Sequence, residues 1–258
     1  MYLVGPGVNP VTGVKGYTLQ CSHIRQETPD TKTYQLSGGI ALTNNQVPGQ
    51  YATFDIEING QTYVRTWTIS SAGSKSDYAI EITVKRKKGG IVSNWLFDNF
   101  TLGSEIKLTG IGGDFTLTNA LANKQKLLMI AAGTGITPFM SMLQGIFAQQ
   151  PTHDFKKLDI VLLYSNRTIE DSIFLTELMT MTAVSEGHVK LLGVTTQEEV
   201  DWLLRGRINK KMIIEQVPDL LDRRVALCGP EEFMKHVLDQ LTELSFPLAD
   251  CLLENYNF

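Results

Sequence analysis

The stretch KLLMIAAGTGITP, residues 126–138, decides the fold of the second half of the chain. Its first part is almost continuously apolar, which predicts a strand buried on both faces of a sheet. Gly133 and Gly135 follow directly and predict a tight turn. Thr137 and Pro138 are residue types that favour the start of a helix. A buried strand, a glycine turn and a helix in this order predict a parallel sheet covered by helices.

The segments after this stretch continue the same alternation. Further strands are predicted at 158–165, 188–194, 224–228 and in the last ten residues, and helices at 138–149, 172–181 and 231–244. Parallel strands need long crossover connections, and helices usually supply them. The second half of the chain is therefore predicted to be a Rossmann-like α/β domain.

The first half has a different pattern, with short alternating runs between turn residues. Six strands are predicted, at 17–24, 31–37, 51–58, 62–69, 78–86 and 104–111. Asn59-Gly60 lies between two of them and is a strong hairpin signal. Six strands at this spacing predict an antiparallel barrel. The predicted division is an N-terminal extension at 1–16, a barrel domain at 17–120 and an α/β domain at 121–258.

Composition excludes several classes of protein. The 258 residues include 23 basic and 27 acidic ones, for a net charge of −4, so a general nucleic-acid binder is not expected. No apolar run reaches the roughly 18 residues of a membrane span, so no transmembrane segment is expected. Cys21, Cys228 and Cys251 are far apart and the histidines are isolated, which predicts neither a disulfide framework nor a metal site. Without a secretory signal, a cytoplasmic location is expected.

Two glycine segments are candidate phosphate sites. Backbone N–H groups at Gly133 to Gly135 can approach a pyrophosphate, and the following helix adds partial positive charge. Gly89-Gly90 leads into an apolar, helix-like stretch with Ser93 in its first turn, and this is a second candidate. The alternative for the first segment, a turn that needs glycine only for its geometry, stays open. The alternative for the second is a solvated strand end.

Three further segments carry residues suited to ligand binding. Arg65 and Trp67 lie on one face of a strand, where an arginine can bind a phosphate and an indole can stack on a planar ring. Cys228-Gly229-Pro230 follows a strand at the edge where such sheets bind ligands. The last residues, from Glu254 on, combine a carboxylate with two aromatic rings. Each segment is also compatible with ordinary packing.

In their order along the chain, these elements resemble the ferredoxin–NADP reductase superfamily, whose members have an FAD-binding barrel and a nicotinamide-binding α/β domain. The resemblance runs from about residue 17 to residue 256. It is carried by PGQYATFDIEI, RTWTISS, ITVKR, GGIVSNWL, GGDFTL, IAAGTGITP, YSNRTIEDSIFLTEL, GRI, CGPEEFM and LLENY.

The resemblance implies roles for the barrel residues. Arg65 would bind the FAD pyrophosphate, Trp67 would stack on the isoalloxazine from the family's usual tyrosine position, and Thr68 would hydrogen-bond near flavin N5. The other FAD-binding residues would be Ser70, Thr83, Val84, Lys85, Gly89, Gly90, Ile91, Val92 and Ser93.

The resemblance likewise implies the nucleotide site. The residues expected to bind the pyrophosphate and the nicotinamide side are Gly133, Thr134, Gly135, Pro138, Thr195, Cys228, Gly229 and Pro230. Glu254 and Tyr256 match the family's terminal Glu-x-Phe near the flavin, with Phe258 as the alternative aromatic residue. The expected catalytic residues are Thr68, Cys228, Glu254 and Tyr256.

The identity of the nicotinamide nucleotide stays open in the sequence. Ser165 and Arg167 follow the second strand of the α/β domain, where a 2′-phosphate could bind. Glu170 and Asp171 are close in sequence and would repel such a phosphate. Both NADPH and NADH therefore stay possible as co-substrates.

The function implied by the resemblance is hydride transfer from NAD(P)H to FAD, followed by electron transfer to a separate redox protein. The acceptor is expected to be separate, because three cysteines cannot form a four-cysteine ferredoxin domain. The expected acceptors are a ferredoxin, a flavodoxin, a cytochrome or another iron–sulfur protein. One alternative is a reductase of a small acceptor such as a ferric siderophore or free flavin. Another is a flavin-binding electron-transfer or regulatory subunit that does not use nicotinamide.

Overall fold

The structure is a computed structural model that describes residues 2–4, 16–38, 46–72, 79–122, 124–148 and 155–255. Its described residues form two compact units. The barrel unit comprises those within 16–116 and 137–148, and the sheet unit comprises 2–4, 117–136 and 155–255. Because helix 137–147 groups with the barrel, a single cut near residue 120 does not reproduce these units, and the domain bounds stay a prediction.

The strands and helices follow in chain order. The strands are β1 (Tyr2–Val4), β2 (Tyr17–Thr28), β3 (Thr31–Ser37), β4 (Tyr51–Ile58), β5 (Gln61–Thr68), β6 (Ala79–Lys85), β7 (Glu105–Gly112), β8 (Lys126–Ala132), β9 (Asp159–Asn166), β10 (Val189–Thr195), β11 (Leu204–Arg205), β12 (Arg224–Gly229) and β13 (Cys251–Asn255). The helices are α1 (Ile91–Asn99), α2 (Leu117–Leu121), α3 (Thr137–Phe147), α4 (Leu175–Val184), α5 (Lys210–Gln216) and α6 (Glu231–Glu243). Within the described part of the chain, no helix is long and apolar enough to cross a membrane.

The barrel unit confirms the predicted six antiparallel strands. They are ordered β5-β4-β7-β2-β3-β6, and an isolated bridge between Ile69 and Ile82 joins the two ends of the sheet. Alternate residues of β4 are buried, as the sequence pattern requires. Asn59 and Gly60 both have positive φ angles, 53° and 78°, which is the hairpin geometry that Asn-Gly favours.

The sheet unit confirms the predicted parallel sheet. Its strands are ordered β1-β13-β12-β8-β9-β10-β11, and every pairing among them is parallel. Strand β8 is buried from Leu127 to Ala131, because helices cover both faces of such a sheet. The strand at one edge has three residues and the strand at the other edge has two. The chain leaves β8 towards β9 and β10 and later returns to β12 on its other side, so the topological switch point lies between β8 and β12.

Two of the predicted elements begin two or three residues later in the structure. The helix predicted at 172–181 is α4, which begins at Leu175, because Phe174 adopts a left-handed conformation with φ 59°. Hydrogen bonds from Thr168 Oγ1 to Asp171 and from the Ser172 amide to Ile169 O hold the residues before it in a turn. The last strand begins at Cys251, after a 3-10 turn. Residues 256–258 lie outside the described residues.

Candidate active site

On the barrel unit, β5 presents a cation beside an indole. Trp67 is partly buried on the barrel core, with its ring centroid 5.9 Å from that of Phe54. Arg65 is two residues earlier on the same face and is exposed, with Nη1 donating to Val64 O at 2.7 Å. Among the described carboxylates none forms an ion pair with Arg65, whereas Arg86 is paired with Asp98. The Arg65 guanidinium is therefore available to an anion, and Trp67 offers a flat surface close by.

The hydroxyl groups after β5 hold its end against β6. Ser70 Oγ lies 3.0 Å from Thr83 Oγ1, which lies 2.9 Å from Thr33 Oγ1. Thr33 in turn donates to Glu27 Oε1 at 2.6 Å. The side chains of Ser70 and Thr83 are thus used within the barrel, and so is the Lys85 ammonium group, which is 3.2 Å from Asp30. What these residues can offer a ligand is mainly their backbone. Thr68, at the end of β5, is 4% exposed.

The amino end of α1 is the second part of the barrel site. Gly89 has a φ of 75°, and the Gly90 amide donates to Lys87 O at 2.8 Å, which closes a turn. Ser93 Oγ accepts the Lys87 amide at 3.2 Å. No side chain in the described ranges caps α1, whose first residues are Ile91 and Val92. Since the first amides of a helix have no acceptor within it, this end suits a phosphate.

On the sheet unit, two predicted segments meet at the switch point. Gly133 has a φ of 54°, and Tyr164 OH donates to its carbonyl at 3.2 Å. A Cβ on Gly135 would lie 2.3 Å from Cys228 O, so the turn after β8 packs directly on the end of β12. The positive φ angle explains the glycine at 133, and the close approach of β12 explains the glycine at 135. The turn that they form lies at the edge where α/β sheets bind ligands. Thr134 lies between them, and Gly229 continues the end of β12 towards Pro230.

Cys228 and Glu254 form a buried pair. They are direct partners in the β12–β13 register, and Cys228 Sγ donates to Glu254 Oε2 at 3.8 Å. Cys228 is 0% exposed and Glu254 is 8% exposed. Burial raises the pKa of Glu254 to about 8, although the hydrogen bond from Cys228 lowers it in part. Glu254 therefore keeps its proton at neutral pH, and a neutral carboxylic acid can donate that proton.

The remaining predicted residues of the sheet unit lie at the ends of β9 and β10. Thr195 is buried, and its hydroxyl donates to Glu198 O at 2.8 Å. Arg167 forms a two-point ion pair with Asp171, with N–O distances of 3.0 and 2.7 Å. Ser165 is buried at the end of β9.

One predicted residue of the nucleotide site belongs to the other unit. Pro138 is buried in the first turn of α3, which groups with the barrel unit. Tyr256 and Phe258 lie outside the described residues. No group of His, Cys, Asp and Glu side chains among the described residues has the arrangement of a metal site. Every role assigned to these residues stays a prediction.

Sequence reasoning missed one residue, Asn166. It is 7% exposed at the end of β9, and its Oδ1 atom is buried without a hydrogen-bond partner among the described residues. Its only sequence signal is a polar amide directly after an apolar strand, which is also common in loops.

Comparison with known proteins identifies the domain families of the two halves of the chain. The oxidoreductase FAD-binding domain family matches residues 19–117, and the oxidoreductase NAD-binding domain family matches residues 129–239. The chain therefore carries one domain of an FAD-binding family and one domain of an NAD-binding family. It belongs to the ferredoxin–NADP reductase superfamily.

Individual relatives share most of this chain. It is 33% identical over 236 residues to the glycine betaine monooxygenase reductase subunit of Chromohalobacter salexigens, covering 90% of this chain and 62% of that protein. It is 32% identical over 233 residues to NADH oxidoreductase HCR of Escherichia coli, covering 88% of this chain and 65% of that protein. The chain thus spans less than two thirds of the length of either relative.

Solved structures share the fold. A ferredoxin NADP+ reductase from Neisseria gonorrhoeae with bound FAD and NADP superposes with a TM-score of 0.78 at 22% identity, covering 94% of this chain and 99% of that chain. The FAD/NAD-binding domain of nitric oxide dioxygenase from Vibrio cholerae gives a TM-score of 0.81 at 23% identity, covering 93% and 98%.

Proposed function

We propose that the chain is a reductase that takes hydride from NAD(P)H onto FAD and passes the electrons to a separate redox protein. The observation that carries this proposal is the face of β5, where the exposed Arg65 has no carboxylate partner in the described chain and stands beside Trp67. An unpaired cation next to a flat indole matches the two ends of a flavin nucleotide, its phosphates and its ring.

The barrel residues would bind and orient FAD. Arg65 would pair with the pyrophosphate, and the amino end of α1 would hold further phosphate oxygens. Trp67 would stack on the isoalloxazine, and Thr68 would lie near its N5 edge. When bound, FAD supplies the redox chemistry, namely acceptance of a hydride and release of electrons.

The sheet residues would bind the nicotinamide nucleotide and hold a proton. The turn from Gly133 to Gly135 would meet the pyrophosphate, because it opens at the switch point of the sheet. Cys228 would lie beside the nicotinamide ring. Glu254, neutral at pH 7 because burial raises its pKa to about 8, would exchange a proton with the reacting groups. The contribution of the protein is proximity and the exclusion of water.

The electron acceptor is proposed to be a separate redox protein such as a ferredoxin, a flavodoxin, a cytochrome or another iron–sulfur protein. The names of two relatives support an acceptor of this kind: the glycine betaine monooxygenase reductase subunit and the stachydrine N-demethylase reductase subunit Stc4 of Rhizobium meliloti, which is 30% identical over 234 residues. A cytoplasmic location stays a prediction.

Anaerobic reduction tests the proposed function. Purified protein saturated with FAD should lose its flavin absorbance when NADH or NADPH is added, and an added acceptor protein should restore it. Failure of both nucleotides to reduce bound FAD would instead indicate an electron-transfer or regulatory subunit. Reoxidation by a ferric siderophore or free flavin, but by no redox protein, would indicate a reductase of small acceptors.

A substitution tests the role of Arg65. Arg65→Ala should raise the Kd for FAD by about tenfold to a hundredfold, the effect of losing one charge-assisted hydrogen-bonding group. Arg207→Ala is the matched control, because Arg207 is also exposed and also lacks an ion pair within the described residues. Equal FAD affinity in the two variants would contradict the role given to Arg65.

A further inference from the structure

Asn166 presents a buried hydrogen-bond acceptor for which the described part of the chain offers no donor. Its Nδ2 donates to Ser172 Oγ at 3.0 Å, and Ser172 Oγ donates to Thr168 O at 3.4 Å. In this arrangement Asn166 directs its amide nitrogen to Ser172. Its Oδ1 is left without a donor in the described part of the chain, although Asn166 is only 7% exposed. A buried acceptor in this state favours a ligand that brings a donor.

The position of Asn166 places that acceptor near the nucleotide turn. In the sheet register Ser165 pairs with Ala132, the residue directly before Gly133, and Asn166 pairs with Thr195. Asn166 therefore lies one strand away from the glycine turn, at the same carboxyl edge. In dinucleotide-binding sheets, the end of the second strand is where the adenosine ribose carries either a 2′-hydroxyl or a 2′-phosphate.

The charges around this position disfavour a phosphate. The loops at 166–171 and 196–207 contain three arginines and five carboxylates, namely Arg167, Arg205, Arg207, Glu170, Asp171, Glu198, Glu199 and Asp201. Arg167 is held by Asp171 in a two-point pair, and Arg205 is paired with Glu199. A 2′-phosphate would have to displace a carboxylate from Arg167 and approach the others. Arg207 is the exposed arginine of these loops for which the described chain offers no ion pair.

We propose that Asn166 accepts a hydrogen bond from the adenosine 2′-hydroxyl and that the Arg167–Asp171 pair excludes a 2′-phosphate, so that the protein uses NADH rather than NADPH. A hydroxyl can donate to Asn166 Oδ1, whereas a phosphate dianion only accepts and would face a second acceptor. This inference rests on the proposed function, because it requires a nicotinamide dinucleotide on the sheet unit.

Binding measured by calorimetry on the FAD-loaded protein tests the role of Asn166. Wild-type protein should bind ADP about three- to tenfold more tightly than 2′-deoxy-ADP, the effect of one hydrogen bond. Asn166→Ala should bind the two ligands equally. Because both ligands are compared on one variant, a general loss of stability does not affect the result. Retained discrimination in Asn166→Ala would overturn the assignment.

The Arg167–Asp171 pair is tested with NAD⁺ and NADP⁺, which differ only in the 2′-phosphate. Wild-type protein should bind NAD⁺ at least tenfold more tightly, and Asp171→Asn should tighten NADP⁺ binding by about tenfold by releasing Arg167. Asp250→Asn is the matched control, because it releases Arg224, which lies at the start of β12, from an ion pair. It should leave the ratio of the two affinities unchanged.

The outcomes separate this inference from the proposed function. Tighter binding of NADP⁺ than NAD⁺, with flavin reduced by NADPH, would overturn the inference and leave the proposed function intact. The inference would also be overturned if Arg207→Ala were the one variant that lost NADP⁺ binding, since Arg207 would then bind the 2′-phosphate. Absence of any nucleotide binding, with no reduction of the flavin, would refute both.

Discussion

The buried carboxyl of Glu254 should make the stability of the sheet unit depend on pH in an unusual direction. Its pKa is raised to about 8 from an ordinary value of 4.5, because it is buried opposite Cys228. Between these values the unfolded chain loses the proton and the folded chain keeps it. Folding is therefore disfavoured progressively as pH rises through this window, by about 1.4 kcal/mol for each pH unit. At pH 7 the burial of the neutral Glu254 carboxyl therefore lowers the free energy of unfolding by about 3 kcal/mol in total.

Glu254→Gln removes this cost, because glutamine is neutral at every pH and can still accept from Cys228 Sγ. Relative to wild type, the variant should gain little stability at pH 5, about 3 kcal/mol at pH 7, and reach its full gain above pH 8. The assay is urea unfolding of the FAD-saturated proteins at pH 5, 6, 7 and 8, followed through the transition of the sheet unit. The difference between the two proteins at each pH is the quantity compared.

An exposed glutamate of the same unit provides the control. Glu243→Gln on α6 should change stability by less than about 0.5 kcal/mol, since its side chain is 49% exposed and forms a surface ion pair with Lys210. A gain in Glu254→Gln that is the same at pH 5 and pH 8, or that falls as pH rises, would refute the reasoning. Such a result would mean that Glu254 is ionised in the folded protein at neutral pH.

Two further predictions concern the packing of the sheet unit and its charged edge. Gly135→Ala should lower Tm and cost about 1–3 kcal/mol of stability, because its Cβ would lie 2.3 Å from a backbone oxygen of β12. The control Gly110→Ala, whose Cβ would have no atom within 4 Å, should cost less than half as much. Equal Tm values for the two variants would contradict this prediction. Arg223→Leu should cost about 3–5 kcal/mol, since this 5% exposed guanidinium pairs with Asp159 and Asp219. The hydrogen bond from Arg223 holds the pKa of Asp219 at about 2, below its ordinary 3.8, so wild-type stability from this pair should be complete above about pH 4 and disappear as pH falls towards 2. Arg223→Leu should lose this acid dependence in a urea titration, and an unchanged dependence would contradict the assignment.

The strands of both units follow from the sequence because their signals are local. Alternating burial, continuous apolar runs and Asn59-Gly60 each act over a few neighbouring residues, and the structure confirms the strands they predict. The start of α4 could not be predicted in the same way. Phe174 takes a left-handed conformation that its residue type disfavours, and its side chain is buried, 5% exposed, which a local pattern does not predict.

The candidate sites likewise contain some residues that local sequence patterns predict and others that depend on long-range contacts. Residue type and spacing predict the glycine turn and the β5 arginine as site residues. The pairing of Cys228 with Glu254 depends on the register of β12 with β13, which no local pattern encodes. Asn166 is informative only through its unsatisfied Oδ1 atom, which depends on the amide nitrogen facing Ser172. Long-range register and hydrogen-bond direction are thus the parts of a site that the sequence leaves open.

The short outer strands of the parallel sheet have a consequence for how the protein behaves at high concentration. Strand β11 pairs only with Val194 and Thr195 of β10, and β1 pairs with three residues of β13. Strands of two or three residues give another molecule too few backbone groups to align an intermolecular ladder. The protein should therefore resist aggregation by strand addition, and insertions that lengthen β11 should make it prone to forming such assemblies.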